Sequence, residues 1–122
     1  MDRKEYYQSL RDRWREAKEL SKDEENQIKA IILTHGMSIS VTGFKVVSKQ
    51  LKKQGLEGLP YIDAKTYKGW KDNGFQVLKG EKSTISGVTW LEVKGKDSED
   101  EGNKYMMPKE YKLFHRTQVD AC

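Results

Sequence analysis

The chain has 122 residues, 35% of them apolar and 34% charged, with a formal net charge of +4. That length supports one domain whose core needs no disulfide or metal staple. Three Trp, six Tyr and three Phe exclude a disordered chain, and the positive balance excludes an acidic DNA mimic and tilts the molecule toward anionic partners.

The single cysteine, Cys122, allows no disulfide within the chain, so a reducing compartment is expected. No apolar run approaches the ~20 residues that cross a bilayer, and the opening Met1-Asp2-Arg3-Lys4-Glu5 lacks the apolar segment of a signal peptide. A soluble cytoplasmic protein with no membrane association is the expectation.

In chain order, Tyr6, Leu10, Trp14, Ala17 and Leu20 recur at spacings of three and four, which predicts an amphipathic helix over 2–20. Its outer face mixes acids with Arg11, Arg13 and Arg15, which serve either as solvated surface or as a basic arm for phosphate. Ser21-x-x-Glu24 has the capping-box form and restarts the helix, with Ile28, Ile31 and Ile32 inward and Gly36 past its end. His35, beside that glycine, reads as a capping or surface histidine rather than a ligand. Thr42 is the predicted cap of a third helix, with Phe44, Val47 and Leu51 inward, a basic patch of Lys49, Lys52 and Lys53 outward, and Gly55 as its stop. After a loop through Gly58 and Pro60, Asp63 is the predicted cap of a short helix carrying Tyr67 and Trp70 as a core pair.

The β part begins at Phe75-Gln76-Val77-Leu78. A tight turn, Lys79-Gly80-Glu81-Lys82, separates it from a longer strand over 84–93, where Gly87 suggests a bulge. On that strand Ile85, Leu91 and Val93 fall on one side, and Val88 and Trp90 on the other. A polar hairpin tip from Gly95 to Asn103 carries four acids in a spacing that lacks the calcium-loop pattern, so no metal site is expected there. The returning strand bears Tyr105, Lys109, Tyr111, Lys112, Leu113 and Phe114, with Pro108 requiring an edge or bulge. The expected fold is α+β, a single domain over 1–122 with N-terminal helices (2–73) packed on a small antiparallel sheet (75–116). The side of the sheet bearing Trp90, Lys112 and Phe114 is either covered by helices or open as a stacking surface.

The run Trp70-Lys71-x-x-Gly74-x-Gln76-Val77-x-Lys79-Gly80-Glu81-Lys82, followed by Tyr111-x-Leu113-Phe114-x-x-x-Gln118, resembles the N-terminal domain of ArdC-type antirestriction proteins. The likeness covers about two-thirds of the chain; the N-terminal third matches only in having helices at similar places. The resemblance implies a module that binds single-stranded DNA and shields incoming plasmid or phage DNA from host nucleases. Longer members continue into a metalloprotease-type domain; none is expected here, so no protease activity is carried over.

Absences point away from an enzyme. There is no H-E-x-x-H, C-x-x-C or P-loop run, and two histidines with one terminal cysteine assemble neither a Cys-His nucleophile nor a three-ligand zinc site. No catalytic residue, metal or cofactor is expected. Single-strand binding needs only stacked rings, worth about 1–3 kcal/mol per base, and cations that follow the phosphates. From Lys65 to Lys82 five lysines stand against Asp72 and Glu81. The candidate contacts are Lys68, Lys71, Lys79, Lys82, Trp90, Tyr105, Lys109, Lys112, Phe114 and Arg116, with Lys79 and Lys82 foremost because a turn cannot bury them. His115 is a base candidate with nothing beside it in sequence to favour that role. Two rival readings share the pattern: RNA binding, since stacking and phosphate contacts do not read the sugar, and docking on a host defence protein through the acidic tip and the arginine-rich first helix.

Overall fold

The computed structural model describes residues 2–94 and 104–122, so the acidic tip lies outside the described residues. The fold is α+β, four helices with a three-stranded antiparallel sheet and a separate two-stranded ribbon.

Each helix starts at a side-chain oxygen that takes one of its orphan backbone donors. Helix α1 (Arg3–Ala17) begins at Asp2, whose carboxylate accepts from the Glu5 amide at 2.8 Å. It ends three residues short of the expected Leu20. Helix α2 (Lys22–Thr34) begins at Ser21 as the capping box predicts, with Ser21 Oγ accepting from the Glu24 amide. Glu24 itself turns away to pair with Lys45, the first cation of helix α3 (Val41–Lys53).

Two predicted caps are corrected. Helix α3 starts at Ser40, whose Oγ accepts from the Gly43 amide at 3.0 Å, which leaves Thr42 inside the first turn. Helix α4 (Tyr67–Asp72) starts at Thr66, Oγ1 to the Gly69 amide at 3.0 Å. Asp63 faces the other way, accepting from the Leu59 amide and from Arg116.

Strand β4 (Lys104–His115) is the centre of the sheet, with β1 (Ala64–Lys65) on one side and β3 (Ile85–Lys94) on the other. The β3–β4 register runs one to one from Ile85↔Leu113 to Lys94↔Lys104, so there is no bulge at Gly87. A glycine is required there for another reason: a Cβ would overlap the Tyr111 ring that lies across the strand from it. Pro108 sits where β4 has lost its β1 neighbour, the edge position that proline needs.

Helix α3 lies along the open edge of β3. Adjacent residues on a helix diverge by about 100°, so Val47 and Leu51 join Ile85, Ala64 and Leu113 in one core cluster while Val46 joins Leu10, Ala17 and Val88 in the other. Between them Gln50 acts as a substitute strand. Its amide accepts from the Ser86 N–H at 2.9 Å and donates to the Ser86 carbonyl at 2.6 Å, and Gln54 donates to the Thr84 carbonyl at 2.6 Å. An edge that would otherwise template foreign pairing is closed by side chains.

The side of the sheet bearing Val88 and Trp90 is covered by α1, which sets Trp14 edge-on to Trp90 at 5.8 Å. Arg13 fastens the contact, donating to Glu110 at 2.6 Å and to Ser86 Oγ at 2.9 Å, with the Tyr6 hydroxyl on the other Glu110 oxygen. Leu91, expected in the core, is 45% exposed because it lies on the hairpin beyond the reach of α3. No helix among the described residues is long and apolar enough to cross a membrane.

Strand β2 (Phe75–Val77) does not pair with β3 across the turn. It pairs with β5 (Val119–Ala121), a strand beyond the expected β region, from Phe75↔Ala121 to Val77↔Val119. The ribbon makes α4, the turn and the chain's C-terminal residues one unit.

Candidate nucleic-acid interface

The unit is hung on Trp70. This side chain is 1% exposed, its Nε1 donates to the Phe114 carbonyl at 2.8 Å, and its ring meets Phe75 in a T-shaped contact at 5.3 Å. Two cations lie over the ring, Lys65 Nζ at 5.4 Å and the Arg116 guanidinium at 5.3 Å, in cation–π range. Arg116 is further tied to Asp63, Nε to Oδ1 at 2.7 Å. Burial alone would raise the Asp63 pKa; the Leu59 amide and the Arg116 guanidinium outweigh it and hold the carboxyl below its ordinary value.

The turn is built by Gly80 and clamped by Gln118. Gly80 has φ +87°, and the Glu81 amide closes the turn on the Leu78 carbonyl at 3.1 Å. Gln118 makes four hydrogen bonds around it. Its backbone carbonyl accepts from the Leu78 amide, Nε2 donates to the Lys82 carbonyl at 2.8 Å and to Glu81 at 3.1 Å, and Oε1 accepts from the His115 amide. The two separated stretches quoted above therefore meet in space twice, at Trp70–Phe114 and at the turn–Gln118 clamp.

His115 is not free to act as a base. It is 5% exposed, and Nδ1 accepts from the Thr117 amide at 3.2 Å, which assigns the proton to Nε2, the donor to the Glu57 carbonyl at 2.7 Å. It caps the 3₁₀ turn Arg116–Gln118 and so supports the clamp.

Lys68, Lys71, Lys79 and Lys82 are all exposed, and none forms an ion pair among the described residues. Tyr67 is a correction. Expected in the core with Trp70, it is 57% exposed at the start of α4, with Lys71 one turn on. It is the solvent-facing ring of this unit, and sequence spacing carries no signal for that, since positions three apart share a helix face. Lys65 and Gln118 also belong to the unit without having been among the candidate contacts.

The remaining candidates divide over the two faces of the hairpin. Trp90, half-buried under Trp14, shares its face with Lys112 and Phe114; Lys112 is exposed and Phe114 half-buried. Tyr105, 49% exposed, and Lys109 lie on the opposite face. Trp90 is also five register steps from Ile85, about 17 Å along the strand. The ten residues thus do not form one surface. Four lysines, Lys112, Phe114 and Arg116 belong to the α4–turn unit or the β4 end that holds it, and Trp90, Tyr105 and Lys109 lie toward the far hairpin.

No group of three or more metal-ligating side chains occurs among the described residues. Compared with protein-family models, with curated proteins and with solved structures, the chain matches none.

Proposed function

We propose that this protein binds single-stranded DNA, with the α4–turn unit as its primary contact, and that binding protects mobile-element DNA by occupancy rather than by chemistry. The observation that carries the reading is the clamped turn. Gln118 holds the backbone of the turn that presents the exposed Lys79 and Lys82, and α4 adds Lys68, Lys71 and the open Tyr67 ring. Fixed cations beside a solvent-facing ring are what a phosphate backbone with unpaired bases requires. The lysines lose no carboxylate partner on meeting phosphate, so their charge is available in full.

Fluorescence titration with single-stranded DNA, duplex DNA and RNA tests this. The single strand binds most tightly, and log K falls against log salt with a slope of about −0.7 for each phosphate neutralised. Gln118→Ala, which leaves net charge unchanged, weakens binding by about two- to tenfold through loss of the clamp, on the scale of a hydrogen bond or two. A salt-independent affinity, or equal affinity for duplex, contradicts the proposal. Equal affinity for RNA moves the reading to strands of either sugar.

A further inference from the structure

A second cleft lies where helix α1 meets the β3–β4 hairpin. Arg11, Trp14, Arg15 and Lys18 fall at i, i+3, i+4 and i+7 on α1 and its C-cap, so they make one stripe along the helix. That stripe faces Trp90 and Met106 of the hairpin, and the six residues line an open cleft of about 380 Å³. Its size falls in the range of small-molecule sites.

Two features mark it as more than a packing seam. The two indoles are only half-buried, so aromatic surface borders the opening. Arg11 and Lys18 form no ion pair among the described residues, and the Arg15–Asp12 pair, 3.2 Å apart with both side chains largely exposed, holds Arg15 only weakly.

From this geometry we infer that the cleft binds a nucleoside monophosphate unit, its base against the Trp14 and Trp90 rings and its phosphate on Arg11 and Lys18. The unit comes either as a free nucleotide or as a link in a strand. The inference does not rest on the α4–turn reading: it uses none of those residues, and each can fail without the other.

The test follows the three indole N–H resonances of the full chain by NMR, assigned through single Trp→Phe variants, during titration with deoxyadenosine monophosphate, deoxyadenosine, inorganic phosphate and a short oligodeoxynucleotide. The Trp14 and Trp90 signals move saturably while Trp70, buried elsewhere, stays in place. Arg11→Gln with Lys18→Gln weakens binding about tenfold or more, the scale of losing charge-assisted hydrogen bonds, and Lys22→Glu on α2 does not. A response to the mononucleotide identifies a free-nucleotide site; a response to the oligonucleotide alone identifies a strand subsite. The inference is overturned if neither ligand moves the two signals, or if the double variant, shown folded by its spectrum, binds as the parent does.

Discussion

The two halves of the molecule carry nearly the same kind of charge and use it differently. In the helical layer the cations at the packing seams have carboxylate partners: Arg13 with Glu110, Lys45 with Glu24, Lys49 with Glu16. There charge orients one element on another. In the α4–turn unit Arg116 is paired, with Asp63, and Lys68, Lys71, Lys79 and Lys82 are not. In the second unit the unpaired positive charge is gathered around one presented turn and one exposed ring, which is a distinction that net charge alone cannot express.

The sharpest way to break this contrast is to remove what holds the second unit. Trp70→Ala loses a fully buried indole, its hydrogen bond to Phe114 and its contact with Phe75. Urea unfolding should show a loss of about 3–5 kcal/mol. A loss under about 1 kcal/mol would mean the unit stands without Trp70.

Next comes the seam of the helical layer. Glu110→Ala strands Arg13, and the expected cost is about 1–3 kcal/mol, toward the lower end because a third of the Arg13 side chain is already exposed. The same carboxylate predicts acid lability. Burial raises the Glu110 pKa, but hydrogen bonds from Arg13, Ser86 and Tyr6 outweigh it, so the folded-state value lies below the ordinary one. A depressed carboxylate contributes stability that is present above the unfolded value of about 4.3 and is lost as pH falls through the folded value. Glu110→Gln should flatten that acid limb in a stability–pH profile; an unchanged limb assigns it to Asp63 and Glu24, whose values are also lowered.

The smallest effect on stability is expected at the turn. Gly80→Ala meets no neighbouring atom, so its cost is the left-handed backbone alone, about 1 kcal/mol. A much larger loss by thermal melting would show that the turn is part of the core rather than a presented loop.

Local chemistry made much of this legible. The spacing of Leu10 and Ala17 located the buried face of α1, and Ser21 located the start of α2. Where two hydroxyls compete, as Ser40 and Thr42 do, residue type cannot choose between them, because the first turn is fixed by how α3 meets the β3 edge. A glycine inside a strand signals either a bulge or a close approach; at Gly87 it was the Tyr111 ring. The β2–β5 ribbon has three residues a side and joins distant segments, so no pattern announces it. Of the site, the exposed lysine turn was readable from Gly80. The exposure of Tyr67, the covering of Trp90 by α1 and the role of Gln118 are consequences of tertiary packing.

The most direct test is a titration of single-stranded polydeoxythymidine across a range of salt, on the parent and on the Lys79→Glu, Lys82→Glu double variant. The double variant should keep the parent's unfolding midpoint, lose about tenfold or more in affinity at low salt, and show a salt slope shallower by about 1.4 for the two phosphate contacts removed. Parent-like affinity and slope in a folded double variant would contradict the claim that the clamped turn grips the strand.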